Sequence, residues 1–276
     1  MRENSVWLHG QVYGQPKVFL NKEKEPVKAR FTMRVIRRAK TLNGMPNDDI
    51  RLDYIVISTS DLAHIEYCRQ NIREGDMVDV CGVYTTHNVT KIFQCPHCET
   101  NNVMPGVLSY ITPLYLCARE QSLSELDGVA LLKERNEISN NIFVIGTLMS
   151  DVAYYEDDSQ KYSQYCIEIG RKFWIKTDPA DLKKDYPYVK SYGILGKRDK
   201  EYLKKYDHVH IRGSLATRSF DRKRICEHCG EEFTFRDSTM EIHSYSVDYL
   251  DEKIRDFSDD DENTFLEDLE EENINE

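Results

Sequence analysis

The chain repeats itself, and an internal repeat constrains a fold more than any single motif, because both halves must adopt the same architecture. Residues 4–10 read NSVWLHG and residues 140–146 read NNIFVIG, with Val6 and Leu8 answering Ile142 and Val144 and a closing Gly10 or Gly146. ARFTMRVIRRAK (29–40) matches SQYCIEIGRKFW (163–174), with Phe31, Met33 and Val35 where Tyr165, Ile167 and Ile169 fall. YIVIS (54–58) is matched to YGILG (192–196), and GDMVDVCGVYTTHN (75–88) to YDHVHIRGSLATRS (206–219). From Gly82 to Cys95 is 13 residues, as it is from Gly213 to Cys226. Order is kept and only loop lengths change, which is the mark of a duplication.

Each copy alternates apolar and polar residues with period 2, interrupted by one helical stretch before its fourth strand. In copy one that stretch is SDLAHIEYCRQNIREGD, with Ser60 or Asp61 as N-cap; in copy two it is KRDKEYLKKYD. Five strands with a helix between the third and fourth is the order of an OB-fold, a small Greek-key barrel. The expectation is an all-β chain of two tandem OB-fold barrels, at 1–120 and 139–250. Each barrel carries a CxxC on the hairpin between its fourth and fifth strands. SLSELDGVALLKERNEISN contributes a linker with a short helix over 121–138.

Charge is divided along the chain. The formal net charge is −11, but residues 251–276 hold 13 acidic and 2 basic residues, so the other 250 residues balance at 35 of each sign. The acidity belongs to a C-terminal tail too charged to bury a core, which is expected to be disordered, and it does not argue against an anionic partner for the body. The N-terminus lacks an apolar signal core and no segment reaches the length of a membrane span, so a soluble, cytoplasmic protein without a membrane partner is expected. Eight cysteines arranged partly as CxxC pairs suit metal binding in a reducing compartment better than a disulfide scaffold.

Both copies resemble the bacterial single-stranded DNA-binding protein family. The carriers are the opening N-x-V/I-x-L/V-x-G, the second strand running into basic residues, the YIVIS strand, and the helix followed by GDMVDVCGVYTT or YDHVHIRGSLATRS. The resemblance implies sequence-tolerant single-stranded DNA binding without catalysis, in replication, recombination or repair. It also implies four barrels working together, which two chains would supply as a homodimer. Two features depart from the family: the CxxC pairs, and a tail ending EEENINE in place of an acidic-Pro-Phe terminus.

Single strands are held by cations along the backbone and aromatic faces under the bases. Trp7 faces away from Val6 and Leu8, Phe143 holds the matching place, and Tyr54 and Tyr192 open the matched YIVIS and YGILG segments; packing against the helix or the other copy is the alternative for each. The cations are Arg34, Arg37, Arg38, Lys40 and Arg51 in copy one, and Arg171, Lys172, Lys176, Arg212, Arg218, Arg222, Lys223 and Arg224 in copy two. They gather on the second-to-third-strand loops and the copy-two hairpin, the elements that flank an OB groove.

CPHC (95–98) and CEHCG (226–230) have the turn of zinc knuckles. Structural zinc takes four ligands, and neither pair is followed by a second pair at ribbon spacing. Three arrangements stay open. Cys95, Cys98, Cys226 and Cys229 share one structural zinc that joins the hairpins; each knuckle recruits other ligands such as His87 or His243, or another chain; or the thiols carry no metal. Within the acidic tail, Phe257, Phe265, Leu266 and Leu269 are placed to bind replication or recombination proteins. No phosphate-cradling Gly loop, nucleophile elbow or metal–carboxylate cluster points to an enzyme. The competing reading is an OB–zinc RNA-binding or replisome-adaptor module, since stacking and phosphate contacts do not tell the sugars apart.

Overall fold

The computed structural model describes residues 3–37, 51–156, 160–171 and 184–251. Arg38, Lys40, Lys172, Lys176 and the tail residues Phe257, Phe265, Leu266 and Leu269 lie outside them, as does the expectation of a disordered tail.

The first copy contains β1 (Glu3–Leu20), β2 (Pro26–Arg37), β3 (Arg51–Thr59), α1 (Leu62–Asn71), β4 (Met77–Gln94) and β5 (Asn101–Ala118). The linker forms α2 (Glu125–Glu134) and α3 (Asn136–Ser139). The second copy contains β6 (Asn140–Leu148), β7 (Ala153–Glu156), β8 (Lys161–Gly170), β9 (Lys184–Asp185), β10 (Tyr188–Tyr192), α4 (Gly193–Tyr202), β11 (His208–Ile225) and β12 (Glu232–Tyr249). In copy one β1 pairs β2 and β4, β2 pairs β3, β4 pairs β5, and a parallel contact, Ile57 to Ile111, closes the ring. In copy two β6, β8, β10, β12 and β11 close in the same order, with Val189 parallel to Ile242. Both copies are closed five-stranded OB barrels, as the strand order led one to expect.

Alternation builds the core. Along β8, Ser163, Tyr165, Ile167 and Ile169 are buried while the residues between them are not. One apolar core runs through both barrels, from Val6, Met33, Ile55 and Ile111 to Ile142, Ile167, Val189 and Ile242. At about 25 cal/mol per Å² of apolar area removed from water, this burial is the main favourable contribution to folding.

The barrels join through their first strands. β1 and β6 pair antiparallel with Val6 opposite its counterpart Ile142, and the pairs Asn4–Val144 and Leu8–Asn140 exchange on either side, so the seam has a pseudo-twofold axis at Val6 and Ile142. Gly10 and Gly146 stand where each strand leaves this seam for its own barrel. A Cβ there would lie 2.7 Å from the Arg34 carbonyl oxygen or 2.8 Å from that of Glu168.

The same symmetry governs the polar contacts between copies. Asp53 accepts two hydrogen bonds from Arg37, at 2.8 and 2.7 Å, and a third from the Thr217 N–H of the other barrel at 2.6 Å. Asp185 accepts two from Arg171, at 2.7 Å each, and one from the Thr86 N–H at 2.6 Å. Both carboxylates are fully buried. A buried charge is tolerated only when paired and hydrogen-bonded, and each of these has a guanidinium as well as a donor from the neighbouring barrel.

The third strand of copy two corrects the sequence matching. Asp53 and Asp185 are equivalent, so the counterpart of Tyr54 is Tyr186 and not Tyr192. Tyr192 ends β10 and precedes α4, and the expected strand residues 193–196 are its first turn. Pro187 has no N–H to give a ladder and separates β9 from β10. Gly193, at φ +57°, then turns the chain into the helix.

Candidate nucleic-acid interface and metal centre

Each fourth-to-fifth-strand hairpin is far longer than its barrel needs. β4 pairs β5 without a break from Gly82–Pro113 to Gln94–Asn101, and β11 pairs β12 from Gly213–Ser244 to Ile225–Glu232. The outer halves do not splay into solvent as two separate tips. They cross: the Tyr84 hydroxyl donates to the Met240 carbonyl at 2.9 Å, Lys91 pairs with Asp237, and Phe93 stacks on Phe235 with centroids 3.7 Å apart. Nearer the ends, Arg224 Nη2 donates to the Val103 carbonyl at 3.3 Å and the Glu227 N–H to Asn102 Oδ1 at 3.2 Å.

The CxxC turns meet where the arms end. In the first, the Cys95 N–H donates to the Thr100 carbonyl and the Glu99 N–H to the Cys95 carbonyl, both at 2.9 Å; in the second, Cys226 with Glu231 and Gly230 with Cys226 repeat the pattern at 2.9 and 3.0 Å. The closing residue is left-handed in both, φ +57° at Glu99 and +77° at Gly230, so copy one accepts at Glu99 a conformation that costs a non-glycine residue free energy. The sulfurs of Cys95, Cys98, Cys226 and Cys229 all lie within 4.8 Å of one another. Two of the separations run between hairpins, Cys95 to Cys229 at 3.8 Å and Cys98 to Cys226 at 3.6 Å. Tetrahedral zinc with Zn–S bonds of about 2.3 Å places its sulfurs about 3.8 Å apart, so the four fit one ion.

The backbone N–H of Cys229, with the Asn102 amide, holds the Cys226 thiol down at about 6. Contacts with Thr100 lower that of Cys98. For Cys229 the backbone at Glu231 acts to lower the value, but burial and three sulfur neighbours push it up to about 12. The amide support is of the kind that orients thiolates on a metal. Neither His87 nor His243 belongs to the cluster: His87 lies on β4, and His243 accepts or donates between Arg37 and Glu241. His-x-Glu spacing of the zinc-deaminase kind does occur, at His64–Glu66 and His97–Glu99, but the assembled ligand set is four cysteines with no histidine.

Nucleic acids reach an OB barrel on the outward face of its second and third strands and the loops beside it. In copy two that face carries an aromatic row: Tyr155 stacks on Tyr162 at 5.0 Å, Tyr162 lies 5.8 Å from Tyr192, and Lys190 sits 5.0 Å over the Tyr162 ring. Tyr188 is exposed beside it. In copy one, Tyr13 and Tyr54 meet edge to face at 4.9 Å, and Lys28 lies 5.8 Å from the Tyr110 ring. Of these, only Tyr54 and Tyr192 were singled out from sequence. The parity of KYSQYCIEIG contained the signal, since Tyr165, Ile167 and Ile169 inward require Tyr162 outward.

Trp7 is 55% exposed, on β1 at the seam between the barrels, opposite Asn141. Phe143 is half-buried on β6, opposite Ser5 and Arg212. The cations divide into two sets. Arg37 and Arg171 hold the buried carboxylates described above, and Arg34 is buried beneath the linker. Arg51 is exposed at the start of β3, and Arg212 lies 4.0 Å from Asp248. Arg218 and Arg222 flank the Phe220 ring at 5.1 and 5.4 Å, while Lys223 pairs with Glu232 and Arg224 with Glu227.

The architecture defines a tandem OB-fold chain with its hairpins tied end to end. Residues 139–236, from β6 through β11 into the outer part of β12, match the model of the Single-strand binding protein family; the inner part of β12, which closes the second barrel, lies beyond the match. Over the whole chain the fold is similar to that of the wild-type single-stranded DNA binding protein from Thermus aquaticus, at TM-score 0.56 and 10% identity, covering 94% of this chain and 98% of that one. A deletion mutant of the same protein gives TM-score 0.57 at 11% identity, with 93% and 98% covered. No curated protein matches the sequence at a significant level.

Proposed function

We propose that the chain binds single-stranded DNA without sequence preference and without catalysis, in replication, recombination or repair. The observation that carries the reading is the aromatic row Tyr155–Tyr162–Tyr192, with the exposed Tyr188 beside it, on the outward face of the barrel whose residues 139–236 match the single-strand binding family. Lys190, against the Tyr162 ring, is buried and paired with Glu241 at 3.1 Å, so it braces the row and leaves the phosphates to other cations. Rings under bases and cations beside phosphates give affinity without base readout. Arg51, Arg212, Arg218, Arg222 and Trp7 supply further contacts from surfaces that solvent reaches. The four cysteines hold one structural zinc, which fixes two narrow arms whose own cluster is small: Cys95, Cys226 and Phe233 buried, with Phe93, Cys98 and Phe235 packed against them. The tail competes with DNA for basic surface, and Phe257, Phe265, Leu266 and Leu269 recruit replication or recombination proteins when DNA displaces it. Competition of poly-dT against poly-U in a mobility-shift assay tests the reading: preference for poly-dT supports it, and preference for poly-U moves the chain to the RNA-binding class.

A further inference from the structure

Arg34 is the least satisfied charge among the described residues. It is 97% buried in β2, it meets Glu125 Oε1 through Nη2 at 3.0 Å, and its Nε and Nη1 have no hydrogen-bond partner. A guanidinium has five N–H donors, and leaving several of them dry is costly unless something compensates. Two rings compensate in part, with Tyr13 at 5.2 Å and Tyr54 at 5.9 Å from the guanidinium carbon. Both rings are exposed, at 52% and 39%. Glu125 opens α2, behind the N-cap Ser124, and its side chain is 70% exposed, so the carboxylate reaches Arg34 from the solvent side.

The helix itself is fixed. Leu132 packs with Ile36 and Met77, and Gln11 donates to the carbonyls of Leu123 and Ser124 at 3.2 and 3.0 Å. Of the two first-turn carboxylates, Asp127 accepts from the Ser124 hydroxyl, while Glu125 is 70% exposed and can leave Arg34 without disturbing the helix. Nor is the arrangement a requirement of the barrel. Gly10 and Gly146 abut the carbonyls of Arg34 and Glu168, and Arg37 and Arg171 stand three residues on from each, so Glu168 is the counterpart of Arg34. Copy two places a carboxylate there, held by Lys184 at 2.7 Å and the Tyr186 hydroxyl at 3.2 Å.

We infer that Arg34, Tyr13 and Tyr54 form a nucleotide subsite on the first barrel, and that the Glu125 carboxylate occupies the place of the phosphate until a strand displaces it. A phosphodiester offers the guanidinium more acceptor oxygens than one carboxylate oxygen does, and the exposed tyrosines offer its base a face. The inference rests on the reading of the chain as a single-strand binder and adds a gate to it. An ion pair with one exposed partner is weak, so the gate is worth a small factor.

The test is oligo-dT affinity of the full chain at low salt. Glu125→Gln should tighten binding about two- to fivefold. Glu134→Gln, on the same helix and exposed, changes net charge equally and should have little effect. Arg34→Met should weaken binding and abolish the gain from Glu125→Gln, which a double-mutant cycle reads directly. Equal effects of Glu125→Gln and Glu134→Gln would reduce the gate to net charge and overturn it, as would a gain that survives Arg34→Met. If the unaltered chain binds no oligo-dT, the single-strand reading itself fails; if it binds and only the cycle is flat, the gate alone fails.

Discussion

Replacing one cysteine of each knuckle separates a shared ion from two independent ones. Cys95 and Cys226 come from different hairpins, yet their sulfurs belong to one group within 4.8 Å. Apparent zinc affinities of four-ligand sites amount to about 10–16 kcal/mol, so one ligand in four is worth about 3–4 kcal/mol and its loss two to three orders of magnitude in affinity. Elemental analysis of protein purified without chelator should give about one zinc per chain. Cys95→Ser and Cys226→Ser should each remove it to the same extent, measured by competition with a chromogenic chelator. The barrels have their own core, so both variants should stay folded, while amide exchange rises in the crossing arms around Phe93 and Phe235 and not around Ile57 or Ile167. About two zinc per chain, or a variant that keeps half the metal, would refute the shared site.

The barrel junction should be sensitive to single charges. Asp185→Asn breaks a fully buried pair with Arg171 and should cost about 3 kcal/mol in urea unfolding, with Asp53→Asn similar by symmetry; losses under about 1 kcal/mol would contradict the burial described. Burial holds His243 below the usual imidazole value, helped by the Arg37 cation and opposed by Glu241. The unfolded chain then takes up the proton first, so stability falls as pH drops through about 6.5. His243→Gln should flatten that slope, read in the Cys226→Ser background so that metal release adds none of its own; an unchanged slope would show that His243 is not the group responsible. Removing residues 252–276 should tighten oligo-dT binding most at low salt, and Phe265→Ala should leave that affinity unchanged while weakening capture of replication or recombination proteins in a pull-down. A truncation that alters neither would leave the tail a solubility device.

Much of this was legible because period-2 alternation and duplication reinforce each other. Val6 and Ile142 could be matched from seven residues each, and they meet at the pseudo-dyad. The 13-residue spacing from Gly82 to Cys95 and from Gly213 to Cys226 shows that the two hairpins are of equal length, which is what lets their ends coincide. Crossing itself was not legible, since it depends on strand curvature that no local pattern encodes. The third strand was misplaced because Tyr54 and Tyr192 each head a short apolar run, while the decisive residues, Asp53 and Asp185, are polar and buried. Buried polar groups break the hydrophobic pattern that sequence reading relies on. For the same reason Arg34, Arg37 and Arg171 read as a surface stripe, although two of them neutralise buried carboxylates and the third lies under α2.

The central claim is that this tandem barrel grips single strands on aromatic, cationic faces. The most direct measurement is equilibrium binding of an oligo-dT about 30 nucleotides long against a duplex of equal length, across a salt series. The account predicts that the single strand binds far more tightly and that log K falls linearly with log salt, with Tyr162→Ala weakening the single strand selectively. Equal affinity for duplex, or an affinity indifferent to Tyr162, would contradict it.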